Sequence, residues 1–351
     1  MGEVQNGAQT TPVVDYRGSE EAVLRWKRSD RVVPRLHEIH EVTGRRQSTK
    51  QVLMGLGCAT NVFPPVCLAI SVFGITTLVA REQTPQPLGS TMCLILFAQN
   101  AHPDYPLVFA GNRDEFYDRP TAPAVFWDEG SHVLGGRDLK AGGTWLGVTK
   151  GGYWATVTNV RDQRPPRENA PSRGHLVAEY LLEEPDPHSY LQAVEARADQ
   201  YNGFNLLVGT MEGTHYLSNR GSTPRAVEAG VHGMSNAQLD DPWPKVERGT
   251  STLREVLGAE VTVERLLDLL DDRRPAPHEE LPDTGVGEDT EQMLSPPFIE
   301  GKNYGTRAST VILMHRSGSV TFVEQNYEHG APTERRRFDF EVDTESTVGR
   351  A

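Results

Sequence analysis

From residue 93 onward, short apolar runs of strand length alternate with pairs of helical segments. Two hairpins come first, over residues 94–98 and 107–110 and over residues 144–149 and 153–158. Two helices, two strands, two helices and two strands then follow, at 172–181, 187–194, 205–210, 215–218, 242–257, 263–270, 309–315 and 319–325. A polar loop is predicted over 273–303. This order predicts an α+β fold in which a pair of sheets lies between layers of helices.

Residues 1–91 have a different pattern. Residues 52–80 carry almost no charge and are long enough to cross a bilayer as a helix, but Pro64 and Pro65 near their centre would break that helix. They also begin too late for a secretory signal. Three interpretations stay open: a membrane anchor, a propeptide, or an upstream stretch that is not translated. We favour the last, so residues 1–91 are predicted to be an extension outside a folded domain at 92–351.

Charge is uneven along the chain and limits the partners. Residues 1–91 hold 10 Lys and Arg against 8 Asp and Glu, whereas residues 92–351 hold 25 against 40. A surface with this much negative charge repels phosphate backbones and anionic lipids. We therefore expect no nucleic acid partner, and no membrane contact unless residues 52–80 are retained. The three cysteines, Cys58, Cys67 and Cys93, form no metal-binding pattern and indicate a reducing, cytoplasmic location.

The pair Met92 and Cys93 opens the first strand and reads like a second beginning of the chain. If Met92 is the start and is removed, Cys93 carries both a thiol and a free α-amine. The amine has an unperturbed pKa near 8 and can accept the proton of the thiol, which would make Cys93 its own general base. The alternative is that Cys93 is a small buried hydrophobic residue.

Polar residues follow several of the predicted strands. Asn112, Arg113, Asp114 and Glu115 come after 107–110, and residue types alone favour a turn in which Asn and Asp cap backbone amides while Arg113 and Glu115 face solvent. Asn159 follows another strand, and by itself would cap a turn. The same holds for Asn236.

Together these residues resemble the NRDE family, also called the Transport and Golgi organisation protein 2 family. The resemblance spans nearly all of residues 92–351. It rests on Met92 and Cys93, residues 111–115 with Arg119 and Pro120, residues 134–146, Thr158 and Asn159, residues 233–236, residues 241–243, and residues 304–310. It implies a four-layer αββα sandwich of N-terminal-nucleophile hydrolase type.

The resemblance also implies roles for site residues. In choloylglycine-hydrolase-like enzymes, which share this fold, an Arg and an Asp beside the thiolate lower the thiol pKa and anchor the α-ammonium, and Arg113 and Asp114 match them. Asn159 and Asn236 occupy positions where related hydrolases place amide donors for an oxyanion. Arg307 occupies the position of a site-facing arginine.

Two functions are consistent with this resemblance. The first is an amide hydrolase that forms a thioester on Cys93 and needs no cofactor. The second is a non-enzymatic binding or trafficking protein, because the family is linked to Golgi organisation and secretion in eukaryotes and to haem or acyl-lipid handling. A pocket thiolate can bind iron, so Cys93 fits haem as well as catalysis. The sequence does not choose between them.

Overall fold

The computed structural model describes residues 68–72, 75–79, 92–162 and 164–343, which belong to two compact units, Met1–Ala80 and Arg81–Ala351. In the first unit, β1 (Leu68–Val72) and β2 (Ile75–Val79) form an antiparallel hairpin. The described part of the apolar segment 52–80 is therefore strand and not membrane-spanning helix. The other predictions for residues 1–91 lie outside the described residues. No helix in the described part of the chain has the length and apolar character needed to cross a bilayer.

The second unit contains thirteen strands and five α-helices among its described residues. The strands are β3 (Cys93–Gln99), β4 (Leu107–Phe116), β5 (Thr121–Phe126), β6 (Val133–Asp138), β7 (Leu146–Thr149), β8 (Trp154–Asn159), β9 (Phe204–Gly209), β10 (Thr214–Ser218), β11 (Ser222–Ala226), β12 (Gly230–Met234), β13 (Tyr304–Met314), β14 (Ser319–Glu328) and β15 (Ala331–Glu341). The helices are α1 (Gly174–Glu183), α2 (Pro187–Glu195), α3 (Pro244–Leu257), α4 (Val263–Leu270) and α5 (Glu288–Leu294).

These strands form two antiparallel sheets, and helices cover the outer face of each. One sheet has the order β11-β10-β9-β8-β7-β6-β5, and the other has the order β12-β3-β4-β13-β14-β15. Because side chains alternate along a strand, Phe97 of β3 packs between the sheets against Trp154 of β8, while Leu96 faces α3 and α4. Helices α1 and α2 pack on the other sheet through Leu176 and Leu191. The four-layer αββα sandwich expected from the resemblance is confirmed.

The structure corrects several local predictions. Strand β4 runs on to Phe116, so residues 112–115 lie inside a buried strand and not in a solvent-facing turn. Helix α1 begins at Gly174, two residues after the start of the predicted segment 172–181. Helix α5 lies in the segment predicted to be a loop. Five strands had no apolar alternation to reveal them, because they are exposed edges or contain Pro or Gly: β5, β6, β11, β12 and β15.

Candidate active site

Cys93 is the first residue of β3, and its side chain lies on the face that points between the two sheets. Its Cα is paired directly with that of Arg113 on β4. The thiol lines a cavity of about 360 Å³, which is called the Cys93 cavity below. Residues of both sheets and of the segment before α1 complete its wall, including Arg113, Glu115, Asp138, Trp145, Asn159 and Arg173. The structure therefore places a nucleophilic side chain against a partly open cavity of ligand size.

Arg113 is buried beside this thiol and held from three sides. One guanidinium nitrogen lies 3.5 Å from Glu115 Oε2, and another donates to Thr121 Oγ1 at 3.3 Å. The guanidinium carbon lies 4.5 Å from the centre of the Trp145 ring. Sequence reasoning gave Arg113 and Glu115 as solvent-facing on residue types alone, whereas both are less than a tenth exposed. Both residues are buried because β4 extends to Phe116, and the sequence did not reveal this length.

The thiol of Cys93 is protonated at neutral pH while Met92 is attached. Burial raises the pKa of Cys93 to about 12, and the negative charge of Asp114 adds to that rise. Arg113 lowers the pKa of Cys93, as the resemblance implied, but its effect is outweighed. In this form the protein holds a neutral thiol.

Asp114 lies on the opposite face of β4 from Arg113 and borders the Met92–Cys93 peptide. Its backbone N–H donates to the Met92 carbonyl at 3.0 Å, and its Oδ1 accepts from Thr306 Oγ1 at 2.6 Å. Its Oδ2 is buried and has no hydrogen-bond partner among the described residues. Burial raises the pKa of Asp114 to about 6, while the charge of Lys245 acts to lower it. Asp114 therefore has an unused acceptor and borders the Met92–Cys93 peptide through its backbone.

Lys245 is a buried cation on this side of the sheet that sequence reasoning missed. It lies in the first turn of α3, is only 2% exposed, and donates to the Leu294 carbonyl at 3.1 Å. Burial lowers the pKa of Lys245 to about 8, and Asp114 opposes that change. An amphipathic helix usually presents lysine to solvent, so the sequence held no signal for its position.

Met92 is packed firmly next to this charged pair. Its side chain is 1% exposed and contacts Leu294, Ile299 and Tyr304. Its backbone N–H donates to the Tyr304 hydroxyl, and its sulfur lies 2.6 Å from Arg161 Nη2. A peptidase cannot reach a methionine in this position.

The two asparagines suggested as oxyanion donors are brought together, but only one lines the Cys93 cavity. Asn159 ends β8 and lies in the cavity wall. Asn236 is fully buried behind it and donates from Nδ2 to the Asn159 carbonyl at 2.8 Å. Ser235 donates to the Cys93 carbonyl at 2.9 Å, which ties the same segment to the nucleophile.

Arg307 lies away from the Cys93 cavity. It lines a second cavity of about 340 Å³ that shares Arg113 and Trp145 with the first. Its Nη1 donates to the carbonyls of Phe116 and Tyr117 at 2.9 and 3.0 Å. Arg307 therefore stabilises the end of β4 and the segment after it, and the structure does not place Arg307 beside Cys93.

Sequence reasoning gave no site role to two further charged groups of the Cys93 cavity, Arg119 and Arg173. Arg119 forms an ion pair with Asp138, with 2.7 Å between Nη2 and Oδ2, and also lies 3.3 Å from Glu115. Arg173, just before α1, donates to the Gly203 carbonyl at 2.9 Å. The two arginines are more than fifty residues apart in the sequence, so only the folded chain brings them together.

Solved structures similar to this chain include two amide-cleaving enzymes by name. The N-acylethanolamine-hydrolyzing acid amidase ortholog of Caenorhabditis elegans is 14% identical, with a TM-score of 0.38 over 63% of this chain and 92% of that one. Penicillin V acylase from Agrobacterium tumefaciens is 12% identical, with a TM-score of 0.41 over 71% and 86%.

Sequence comparison gives a closer relationship. The family described as Transport and Golgi organisation 2 matches residues 92–329. The Transport and Golgi organization protein 2 homolog of Bos taurus is 37% identical over 273 residues, which cover 69% of this chain and 95% of that protein. The homolog of Homo sapiens is 36% identical over 67% of this chain and 93% of its own length. This chain therefore belongs to the Transport and Golgi organisation 2 family.

Proposed function

We propose that this protein, when its chain begins at Cys93, hydrolyses a linear amide through a thioester on Cys93. One observation carries the proposal: Cys93 lies between two environments. Its side chain lines a partly open cavity, and its peptide bond with Met92 borders Asp114, which has a buried carboxylate oxygen without a hydrogen-bond partner among the described residues. An N-terminal nucleophile needs this arrangement, because its thiol has to meet the substrate while an anion orients its amine within reach of that thiol.

The reaction would proceed in two steps. The α-amine accepts the thiol proton, the thiolate sulfur forms a bond to the amide carbonyl carbon, and the amine then donates that proton to the departing nitrogen as the C–N bond breaks. In the second step the α-amine accepts a proton from water, which attacks the thioester carbonyl. The acid leaves, and the proton returns to the sulfur. Atoms and charge balance without a cofactor.

Each neighbour of Cys93 has a role in these steps. Arg113 stabilises the thiolate across the strand pair. Asp114 orients the α-ammonium that forms when the amine holds the proton. Asn159 supplies an amide donor from the cavity wall to the oxyanion. Asn236 does not line the cavity, so its role is to position Asn159 through the bond to the Asn159 carbonyl.

The buried Met92 supports a second candidate, a binding or trafficking protein that keeps Met92. In that form the α-amine is absent and the thiol is neutral, so a ligand such as an acyl lipid would be held without being cleaved. Haem fits the Cys93 cavity poorly. Iron coordinated by Cys93 requires the thiolate, which burial disfavours, and this cavity of about 360 Å³ has charged walls and lies near the lower end of the roughly 300–1,000 Å³ of ligand sites.

One comparison separates the two candidates. Protein isolated from its native host is incubated with a panel of acyl amides, with haem and with acyl lipid, and Cys93→Ala serves as the matched variant. We expect amide cleavage that Cys93→Ala abolishes while ligand affinity changes little. Absence of turnover, together with acyl lipid or haem binding that Cys93→Ala weakens, would reject the hydrolase and favour the binding protein.

A further inference from the structure

The charges in the wall of the Cys93 cavity are not fully compensated. Two arginines there have carboxylate partners: Arg113 faces Glu115, and Arg119 faces Glu115 and Asp138. Arg173 also lines this cavity, yet no carboxylate of the described residues lies within 4.0 Å of its nitrogens. A cation that is partly withdrawn from water without an anion is costly, unless a ligand supplies the negative charge.

Arg173 is held in place in a way that leaves one edge of its guanidinium available. Its Nη1 donates to the Gly203 carbonyl at 2.9 Å, whereas Nε and Nη2 make no hydrogen bond to the described residues. Burial lowers the pKa of Arg173 to about 10, and the negative charge of a Cys93 thiolate acts to raise that pKa. The two side chains therefore interact electrostatically across the cavity. Arg173 stays charged at neutral pH.

We propose that the open edge of Arg173 binds a carboxylate of the ligand. A guanidinium edge with two parallel N–H groups matches a carboxylate in a bidentate manner. Because Arg173 and the thiol line one cavity, that carboxylate lies near the carbonyl that Cys93 attacks. The inference rests on the proposed function and narrows its substrate class to linear amides that carry a carboxylate close to the scissile bond.

The test compares two alkylating reagents that differ in charge. Iodoacetate carries a carboxylate and iodoacetamide does not, and both react with the same thiolate, so the ratio of their rates is independent of the thiol pKa. The rates at Cys93 are followed by peptide mass spectrometry on protein from the native host. We expect the iodoacetate to iodoacetamide ratio to exceed that of free cysteine by roughly tenfold. Arg173→Gln should remove the excess, and Arg173→Lys, which keeps the charge but lacks the guanidinium edge, should keep only part of it.

Arg225→Gln is the matched control, because Arg225 is exposed on β11 and its guanidinium lies over the Tyr216 ring. This variant should leave the ratio unchanged. A wild-type ratio equal to that of free cysteine overturns the proposal even if Arg173→Gln does not fold. So does an excess that Arg173→Gln retains.

A second measurement separates this proposal from the hydrolase itself. N-hexanoylglycine and N-hexanoylglycinamide differ only in the terminal carboxylate, and each is tested for protection of Cys93 against iodoacetamide. We expect N-hexanoylglycine to protect at about tenfold lower concentration, with the difference lost in Arg173→Gln. If that difference is seen but neither amide is cleaved, the hydrolase fails and the carboxylate site stands. Equal protection by both compounds overturns the carboxylate site alone.

Discussion

Asp114 and Lys245 are buried on the same side of the six-stranded sheet, and each shifts the pKa of the other toward the charged form. Burial raises the pKa of Asp114 to about 6 and lowers that of Lys245 to about 8. Their mutual attraction limits both shifts, so both groups are charged near pH 7. Burying the charges of Asp114 and Lys245 next to Met92 costs desolvation free energy, and an apolar pair of similar volume would stabilise the fold equally well. Such pairs are typical of functional sites.

The first prediction concerns the pH dependence of stability in the chain that retains Met92. Asp114 has a higher pKa in the folded protein, about 6, than its ordinary value of 3.8, so the folded state holds the proton more tightly. Its stabilising contribution is present at low pH and is lost as the pH rises from about 4 to 6. The free energy of unfolding of Asp114→Asn, relative to wild type, should therefore increase across this window in urea titrations.

Asp138→Asn gives the opposite slope and is the control. Burial raises the pKa of Asp138, but hydrogen bonds from Arg119 and two backbone amides bring it below its ordinary value. Its contribution is complete above the ordinary pKa of 3.8 and is lost as the pH falls below that value. Asp138→Asn should therefore lose stability relative to wild type as the pH rises to about 4, and should show no further change between about pH 4 and 6. Parallel slopes for the two variants would contradict the assignment of Asp114.

Asn112 is predicted to be structural although it stands beside Arg113. Its Nδ2 donates to the carbonyls of Leu270 and Pro297, both at 2.9 Å, and its Oδ1 accepts from Ser309 at 2.6 Å. Removing a buried partner costs roughly 1–3 kcal/mol per unsatisfied group. Asn112→Ala should therefore lower the free energy of unfolding by at least about 2 kcal/mol. Ser309→Ala, which breaks one of the three bonds, should cost less; equal losses would contradict this account.

The sequence predicted the layered fold because short apolar runs mark strands that are buried on both faces, as in β3, β8 and β9. It missed β15, whose exposed edge is polar. In the site, Cys93 was identified from its place after Met92. Lys245 could not be found in this way, because its burial depends on packing between α3 and Leu294 that no local pattern encodes. Long-range contacts of this kind decide which charged side chains lie in a site.

The start of the functional chain is the next prediction. Met92 is 1% exposed and held by Tyr304 and Arg161, so its removal from the folded protein would be very slow. We expect protein from the native host to begin at Cys93, with Met92 removed during synthesis. Intact mass and N-terminal sequencing decide this. A dominant species that retains Met1 and residues 52–80 would reject the mechanism that uses the α-amine.

The pKa of the Cys93 thiol should depend strongly on whether the chain begins at Cys93. With Met92 attached, burial and Asp114 keep the pKa of Cys93 at about 12. In a chain that begins at Cys93, the α-ammonium compensates Asp114 and favours the thiolate, so the apparent pKa should fall below the ordinary value of about 8.5. Iodoacetamide rates against pH measure it.

The reference for this measurement is the full chain with Cys58→Ser and Cys67→Ser. In the chain that begins at Cys93, Arg113→Gln should raise the apparent pKa again, while Arg113→Lys should raise it less. Identical profiles for the two chain starts would remove the case for an activated nucleophile.

Substitution of Asn159 should distinguish an enzyme from a binding protein. An oxyanion donor acts mainly in the transition state, so Asn159→Ala should lower kcat by roughly a hundredfold or more while ligand affinity stays nearly constant. Asn159→Asp keeps the shape of the side chain and removes its amide donor, so it should lose turnover to a similar extent. A binding protein has no such asymmetry, because its contacts serve only the bound ligand. Variants that weaken affinity and turnover in the same proportion would show that Asn159 holds the ligand and does not stabilise the oxyanion.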